Sequence, residues 1–176
     1  MSKGIALLSA GLDSSVALVL FKEAGNELIL VLTMDYGQRA AVPEVNFSKR
    51  ICEYYRVPHR VIELPWFKEF ESGLIDGKIP EPRSVDLSDE QITRDSARAV
   101  WVPNRNGVLI EIAAAFAERL GADNVVVGFN REESVTFPDN STQYQTAITR
   151  ALSYSTMNRV EVVSPTAKLN KRQIVT

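Results

Sequence analysis

The sequence predicts an α/β protein in which helices cover both faces of an open, largely parallel sheet. Five short apolar runs recur along the chain, at residues 5–8, 28–32, 60–64, 124–128 and 160–163. Several runs are near-continuous rather than alternating, which is typical of strands that are buried on both faces. Because helical patterns separate the runs, we expect βαβ units with right-handed crossovers.

Three further segments between the strands have helical patterns. One helix is expected to begin near Pro43, a residue that a first helical turn tolerates. Four side chains then share one face of it: Phe47, Ile51, Cys52 and Tyr55. Residues 110–120 are mostly apolar and end at Gly121, a common stop signal. Residues 143–154 are the third predicted helix.

Composition and charge narrow the class of protein. The 176 residues are 45% hydrophobic and 24% charged, which suits a single domain over residues 1–176. Lysine and arginine number 20 against 22 aspartates and glutamates, so the chain has no global basic field for nucleic acid. No apolar run reaches the roughly 18 residues of a membrane span, and Met1 leads into the first strand without a signal-peptide pattern. We therefore expect a cytoplasmic protein that binds neither a membrane nor nucleic acid directly.

Residues 66–104 do not follow the alternation of strands and helices. This stretch contains several prolines and many charges, including the run Pro80-Glu81-Pro82-Arg83. Connections of this length are usually lids, binding loops or insertions. We predict an inserted loop or lid at about residues 66–100. The pattern leaves a functional lid and a passive insertion equally open.

The turn after the first strand, Ser9-Ala10-Gly11-Leu12-Asp13-Ser14-Ser15, is the strongest candidate for a ligand site. Ligands of open α/β sheets bind beyond the carboxyl ends of the strands. Gly11 permits close backbone approach, the serines supply hydroxyls, and the following helix presents unpaired N–H groups at its positive end. These features make a cradle for a phosphate-sized anion. Asp13 would repel phosphate unless Mg²⁺ bridges the two, so Asp13 is the candidate magnesium ligand.

Helix capping is the alternative explanation for this turn. Asp13, Ser14 or Ser15 could cap the helix, but one cap requires one such residue and the turn has four in seven positions. Three better-known motifs are missing from the sequence: GxxxxGK followed by Ser or Thr, GxGxxG after a strand, and GxSxG. The pattern therefore favours phosphate binding.

The segment SAGLDSS, residues 9–15, resembles the SGGxDS pyrophosphate loop of the N-type ATP pyrophosphatases, which cleave ATP between its α and β phosphates. Ala10 replaces the first motif glycine, and its methyl group is strained if the position requires a positive φ. The resemblance implies an adenine-nucleotide alpha-hydrolase-like (HUP, Rossmann-like) fold of three layers, with a parallel five-stranded sheet of order 3-2-1-4-5. It also implies an ATP-binding set: Ser9, Ala10, Gly11, Leu12, Asp13, Ser14, Ser15, Thr33, Met34 and Arg39.

Further motifs resemble one branch of that superfamily, the 7-cyano-7-deazaguanine synthases. They are TMDYGQR at 33–39, VPNRN at 102–106, GFN at 128–130, FPD at 137–139 and KLNKRQI at 168–174. The matches follow the family's order over nearly the whole chain. DYGQR and VPxRN are more specific than the phosphate loop, so the chain is similar to this branch rather than only to the superfamily.

Several of these residues have alternative explanations beside the resemblance. Thr33 and Met34 could offer backbone contacts to an adenine edge or simply end their strand. Arg39 and Arg105 could each bind phosphate or carboxylate, as planar guanidinium groups do, or form a surface ion pair. Lys171 opens the last predicted helix, and the resemblance places its ammonium at the polyphosphate.

The resemblance implies a catalytic set of Asp13, Arg105 and Lys171. It implies five residues on the substrate side: Tyr36, Gln38, Asn130, Glu133 and Asp139. Glu133 stands where the family usually has aspartate, a carboxylate that can accept the N–H groups of a guanine-like edge. The family's PDCR reads Pro138-Asp139-Asn140-Ser141 here, which is a departure on the substrate side.

The implied reaction uses 7-carboxy-7-deazaguanine, ammonia and ATP with Mg²⁺. The substrate carboxylate attacks the α-phosphate and releases pyrophosphate, ammonia displaces AMP to give an amide, and a second ATP dehydrates the amide to the nitrile. The product belongs to queuosine and archaeosine biosynthesis, so tRNA is not implied as a substrate of this step. Family members continue into a Cys-rich zinc-binding tail. These 176 residues hold only Cys52, expected to be buried in a helix, and hence no zinc ligand set.

Two other functions would use the same loop. A sulfur-transferring relative that acts on tRNA would generally use catalytic cysteines and a basic surface, whereas this sequence has one cysteine and a formal charge of −2. A nucleotide-binding module without turnover is the second alternative, suggested by Ala10. A homodimer is the candidate assembly.

Overall fold

The computed structural model describes residues 1–70, 72–76 and 100–176. Within these ranges five strands form one sheet: β1 (Lys3–Leu7), β2 (Glu27–Asp35), β3 (His59–Glu63), β4 (Asn124–Val126) and β5 (Glu161–Val163). All neighbouring strands are parallel, and their order is β3-β2-β1-β4-β5. The predicted α/β class, parallel pairing and strand order are confirmed.

The helices of the described ranges are α1 (Leu12–Glu23), α2 (Ala41–Tyr55), α3 (Gly73–Asp76), α4 (Arg105–Leu120), α5 (Glu133–Thr136), α6 (Thr142–Ser155) and α7 (Lys171–Val175). Two short 3₁₀ helices occupy Pro65–Glu69 and Pro138–Asn140. Helix α4 starts at Arg105, earlier than the apolar segment 110–120 predicts, and Gly121 ends it with a φ of +70°. Helix α6 agrees with the predicted 143–154 to within one residue at each end.

The strand side chains alternate between two apolar cores, one on each face of the sheet. In β1, Ile5 packs into one core and Ala6 into the other; in β2, Leu32 and Val31 divide in the same way. Helices α4 and α6 cover the first core, and α1 and α2 cover the second. Because both faces are covered, consecutive strand positions are apolar, which is the pattern expected of a buried parallel sheet.

The apolar face of α2 is narrower than its sequence pattern predicts. Cys52 is buried in the core, but Phe47 is 53% exposed. Ser48 takes the inward position instead, fully buried, and its hydroxyl donates to the Leu8 carbonyl at 3.3 Å. Helix α2 therefore contacts the end of β1 through a polar side chain.

The predicted insertion is described only in part. The 3₁₀ helix at Pro65–Glu69 and helix α3 belong to it, whereas residues 71 and 77–99 lie outside the described residues, and the lid prediction with them. The Arg39 N–H donates to the Leu74 carbonyl at 3.0 Å, which ties α3 to the segment after β2. None of the described helices is long and apolar enough to cross a membrane.

Candidate active site

An open cavity of about 370 Å³ lies at the carboxyl ends of β1, β2 and β4. Apolar side chains form one part of its wall: Leu32, Met34, Leu109, Ile110 and Phe129. Polar groups that follow β1 and β4 form a second part: Ser9, Asp13, Ser14 and Glu133. Polar groups beyond β2 and at the start of α4 form a third: Tyr36, Glu44, Arg105 and Asn106. The cavity thus lies at the carboxyl ends of the central strands, where ligands of open α/β folds bind.

Residues 9–15 form the predicted loop at the start of α1, whose N-cap residue is Gly11. The hydroxyls of Ser14 and Ser15 donate to the Gly11 carbonyl at 3.1 and 2.8 Å. No side chain caps the helix, so the capping explanation for this turn is wrong. Among the described residues, the first N–H groups of α1 have no acceptor. These donors, at the positive end of the helix dipole, suit an anion.

Ala10 adopts a positive φ of +56°. This is the left-handed region, in which the Cβ atom costs an L-residue about 1–2 kcal/mol. The position that the resemblance assigns to glycine is therefore one where the backbone does turn left-handed between β1 and α1. Like Leu12 and Ser15, Ala10 belongs to the loop without lining the cavity.

A chain of hydrogen bonds fixes the start of the loop at the Leu8 carbonyl. The Thr33 hydroxyl donates to it at 2.8 Å, and His59 Nε2 lies 2.8 Å from the same hydroxyl. Because Thr33 gives its only proton to Leu8, it accepts from His59. Burial, and then the nearby Lys49, lower the pKa of His59. The Thr33 side chain is fully buried and anchors the loop, whereas Met34 lines the cavity.

Gly128, just after β4, is in close contact with the loop backbone. A Cβ atom at this position would lie 2.5 Å from Ser14 N and 2.7 Å from the Asp13 carbonyl carbon. Such contacts are with backbone, which cannot rotate away, so only glycine fits here. Because Gly128 has no side chain, the end of β4 can pack directly against the backbone of Asp13 and Ser14. The sequence contained it within the GFN motif, but nothing in the pattern assigned it this contact.

Lys171 joins two acidic side chains at the loop side of the cavity. Its ammonium donates to Asp13 Oδ2 and to Glu133 Oε1, the latter at 2.8 Å. Burial lowers the pKa of Lys171, but the hydrogen bonds to Asp13 and Glu133 outweigh burial, and the pKa is raised overall. The ammonium is therefore charged at neutral pH. Asp13, Glu133 and Lys171, which the sequence analysis assigned from separate segments of the chain, are therefore joined through the Lys171 ammonium.

The local structure of α7 places Lys171. Asn170 caps the helix: its side-chain oxygen accepts the Gln173 N–H at 2.8 Å, and the Gln173 side-chain oxygen accepts the Asn170 N–H at 3.0 Å. The Lys171 N–H donates to Glu132 Oε1 at 3.3 Å. This capping box fixes the first turn of α7, so the lysine side chain starts from a defined point.

Besides the loop residues already named, the predicted ligand-binding residues that lie outside the cavity wall are Thr33, Gln38, Arg39, Asn130 and Asp139. Lys171 contacts the wall residues Asp13 and Glu133 without lining the cavity itself. Asn130 is fully buried, and its Oδ1 accepts the Glu133 N–H at 2.9 Å, so it shapes the turn that carries Glu133. The Arg39 side chain is exposed and away from the wall. Asp139 is partly buried; burial raises its pKa, and the Arg105 charge opposes that shift.

Tyr36, Glu44 and Arg105 lie together beyond β2. Arg105 Nη1 donates to Tyr36 Oη at 3.3 Å, and burial raises the pKa of Tyr36 while Arg105 opposes the shift. The Gln38 amide donates to the Met34 carbonyl and to Glu44 Oε2, both at 2.9 Å, and accepts the Tyr36 N–H at 2.9 Å. Gln38, predicted on the substrate side, is buried and fixes Glu44 instead of lining the cavity.

Three polar residues of the cavity wall were absent from the predicted sets of site residues: Glu44, Asn106 and Asn140. Of these, only Asn140 had been placed on the substrate side, as part of the departure from the family's PDCR motif. Asn106 Nδ2 donates to Asn140 Oδ1 at 3.1 Å, which joins α4 to the segment after β4. Both asparagines stood inside or beside family motifs, so the motifs were the available signal. Glu44 lies outside the motifs, in the first turn of α2, and only its place shortly after DYGQR hinted at the site.

Asp13 offers a site for a magnesium ion that arrives with a polyphosphate. Its Oδ1 is buried and has no hydrogen-bond partner among the described residues. Mg²⁺ is commonly held by one or two carboxylates together with phosphate oxygens, so one unpartnered carboxylate oxygen beside an anion cradle fits that ion. The part of the chain that the structure describes contains no group of three or more His, Cys, Asp or Glu able to hold a metal.

Similarity to known proteins extends over the whole chain. The family model described as "Queuosine biosynthesis protein QueC" matches residues 3–176. The 7-cyano-7-deazaguanine synthase of Bdellovibrio bacteriovorus is 48% identical over 98% of this chain and 76% of its own length. The synthase of Desulforudis audaxviator is 45% identical over 98% of this chain and 79% of its own length. That of Methanosarcina mazei is 46% identical over 98% and 77%.

Solved structures are similar in fold. A predicted subunit of tRNA methyltransferase from Methanocaldococcus jannaschii has a TM-score of 0.58 at 16% identity, covering 99% of this chain and 73% of that one. The NH3-dependent NAD synthetase of Campylobacter jejuni has a TM-score of 0.51 at 18% identity, covering 99% and 62%. At these identities the similarity supports the fold alone.

Proposed function

This chain belongs to the QueC family of queuosine biosynthesis proteins, and on that premise we propose that it is an ATP-dependent carbon–nitrogen ligase that makes 7-cyano-7-deazaguanine. Its substrates would be 7-carboxy-7-deazaguanine, ammonia and ATP. The observation that carries the proposal is that Lys171 contacts Asp13 of the loop 9–15, at a cavity whose wall also includes Tyr36, Glu44 and Arg105. The part of the wall formed by the loop 9–15 suits a polyphosphate, and the part that contains Tyr36, Glu44 and Arg105 suits a second substrate.

The polyphosphate of ATP would lie on the loop. The unpaired N–H groups of α1 and the Ser9 hydroxyl can donate to phosphate oxygens in this part of the cavity, whose wall includes Ser9 and Ser14. The adenine would lie along the apolar wall that includes Met34. Asp13 would hold Mg²⁺ through its buried, unpartnered oxygen, and the ion would offset the repulsion between carboxylate and phosphate.

Lys171 would stabilise the leaving pyrophosphate. Its raised pKa keeps the ammonium charged, and its contacts with Asp13 and Glu133 hold it at the edge of the loop. When ATP binds, phosphate oxygens can replace one of these carboxylates as its partner. A fixed positive charge beside the phosphates is the main aid that a protein gives to phosphoryl-group chemistry, because charge grows on the leaving oxygens.

Arg105 would orient the acid substrate. Its guanidinium is held by Tyr36, and a planar guanidinium binds a carboxylate or adjacent oxygens in a defined geometry. With the substrate carboxylate aimed at the α-phosphate, attack forms an acyl–phosphate bond and releases pyrophosphate. Ammonia then displaces AMP to form the amide, and activation of the amide oxygen by a second ATP allows loss of AMP to form the nitrile.

This chemistry needs no covalent protein nucleophile. Cys52 is the sole cysteine in these 176 residues, and it is buried in the core between α2 and the sheet. Burial, with a smaller effect of Glu53, raises the pKa of its thiol to about 11. A thiol in that setting is a poor nucleophile, so sulfur transfer through this residue is disfavoured.

Pyrophosphate release tests the proposal directly. We expect release from ATP that requires both 7-carboxy-7-deazaguanine and ammonia, with the nitrile identified by mass spectrometry. Lys171→Met should lower kcat by about 100-fold to 1,000-fold, the effect of removing one transition-state donor. Lys168→Met is the matched control, because Lys168 is exposed and three residues away, and it should stay near wild-type activity.

Two results would contradict the proposal. ATP binding without any acid-dependent pyrophosphate release would favour a nucleotide-binding module, the alternative that the strained Ala10 suggests. Equal losses in Lys171→Met and Lys168→Met would show that general surface charge, and not the ammonium beside Asp13, matters for turnover.

A further inference from the structure

We propose that Glu44 determines substrate specificity by accepting the ring N1–H and the 2-amino group of the deazaguanine acid. The inference rests on the proposed function, because it names the residue that reads the substrate of that reaction. Glu44 lies outside every motif that the sequence analysis assigned. The structure places its carboxylate in the cavity wall, beyond β2.

The Glu44 carboxylate is held in one orientation by protein groups. Its Oε2 accepts from Gln38 Nε2 at 2.9 Å, and Gln38 is itself fixed by the Met34 carbonyl and the Tyr36 N–H. The other oxygen, Oε1, has no hydrogen-bond partner among the described residues. Burial raises the pKa of Glu44, against the Gln38 hydrogen bond and the Arg105 charge. A partly buried, oriented carboxylate of this kind is well placed to accept N–H donors that a ligand supplies.

The chemistry of the two heterocycles decides which one supplies those donors. A guanine-type edge presents N1–H and the 2-amino group side by side, so one carboxylate can accept from both. The corresponding edge of adenine presents a single amino group beside an acceptor nitrogen, which a carboxylate repels. Arg105, held by Tyr36 next to Glu44 in the cavity wall, can donate to the adjacent ring carbonyl. The wall therefore complements the acid substrate and not the adenine of ATP.

Glu133, the carboxylate that the resemblance assigns to this edge, is differently engaged. It follows β4, and its Oε1 accepts from Lys171 at 2.8 Å beside Asp13. Glu44 follows β2, and β2 and β4 pair with opposite edges of β1. Each carboxylate thus has a separate half of the cavity, and Glu44 is the one without a cationic hydrogen-bond partner in the described ranges.

A binding experiment with two ligands tests the assignment. Affinities of 7-carboxy-7-deazaguanine and of 7-carboxy-7-deazahypoxanthine, which lacks the 2-amino group, are measured by calorimetry with α,β-methylene-ATP and Mg²⁺ present. We expect the wild type to favour the first ligand by about tenfold to 100-fold, the effect of leaving a buried acceptor unsatisfied. Glu44→Gln should reduce this preference to less than about threefold while its affinity for the ATP analogue alone stays unchanged.

Controls separate a reading role from a structural one. Glu53→Gln changes an exposed carboxylate on the same helix and should keep the wild-type preference. Glu44→Asp keeps the negative charge on a shorter side chain, and it replaces Glu44→Gln if that variant does not fold. It too should lose the preference for the acid that carries the 2-amino group. A preference that survives in the Glu44 variants, or that disappears in Glu133→Gln instead, overturns the inference and leaves the proposed function intact. A wild type that binds neither acid overturns both.

Discussion

Replacing Ala10 with glycine removes the Cβ atom from a backbone position with a φ of +56°. We expect the Ala10→Gly variant to be more stable than the wild type, although alanine-to-glycine changes normally destabilise proteins. The reason is that the left-handed conformation is unfavourable for alanine and freely available to glycine. The change alters one methyl group in a loop that does not line the cavity at this position.

The size of the effect follows from two opposing terms. Relief of the left-handed strain contributes about 1–2 kcal/mol. The larger conformational freedom of glycine in the unfolded chain takes back about 0.4–1 kcal/mol. From the middle of each range, the free energy of unfolding should rise by about 0.8 kcal/mol, and for a chain of this size the Tm should rise by about 2–3 °C.

Urea denaturation measures this change, with the midpoint expected to rise at a constant m-value. Ala24→Gly is the matched control, because Ala24 lies next to the other end of α1 but has a φ of −70°. That variant should lose about 0.5–1 kcal/mol. If Ala10→Gly and Ala24→Gly shift the midpoint in the same direction, the strain assigned to Ala10 is refuted.

Three further predictions concern residues around the loop. Gly128→Ala places a methyl group 2.5 Å from Ser14 N; we expect a loss of about 1–3 kcal/mol of stability and weaker binding of α,β-methylene-ATP, measured by urea denaturation and calorimetry. The pKa of His59 is lowered in the folded protein, so its contribution to stability is present above about pH 6.5 and is lost as the pH falls. Denaturation from pH 7.5 to 5 should show a smaller decline in His59→Gln than in the wild type, and parallel curves would contradict this. Cys52, 2% exposed with a thiol pKa of about 11, should resist a thiol reagent at pH 8 until urea unfolds the chain; rapid labelling of native protein would contradict its burial.

Local pattern was sufficient to predict the strands, the parallel sheet and the longer helices, whereas the strand order came from the family resemblance. The near-continuous apolar runs reflect two-sided burial, so they identified the strands wherever helices cover both faces of the sheet. Gly121 ended α4 as predicted, since glycine readily adopts the left-handed cap. The start of α4 was predicted too late because Arg105 and Asn106 are polar and lie at the cavity, where the apolar pattern is interrupted.

Some of the site residues could be predicted from the sequence and others could not. The loop 9–15 could be read from sequence because its chemistry is contiguous: small residues, hydroxyls and a helix start follow one another in the chain. Asn130 and Gln38 were predicted to bind a ligand, but their side-chain amides form hydrogen bonds within the protein. Asn130 Oδ1 accepts the Glu133 N–H, and Gln38 Nε2 donates to Glu44 Oε2. A motif shows which residues matter together; it does not show whether a side chain faces the ligand or supports a neighbour that does.

The sequence by itself determined the class of fold, the phosphate loop and the family, because periodicity and contiguous motifs are properties of neighbouring residues. Only the tertiary structure decided that Gly128 must lack a side chain behind Ser14, and that Lys171 joins Asp13 to Glu133. It alone placed Glu44 in the cavity. These contacts join elements far apart in the chain, and their geometry depends on how the strands align and the helices pack, which no local pattern contains.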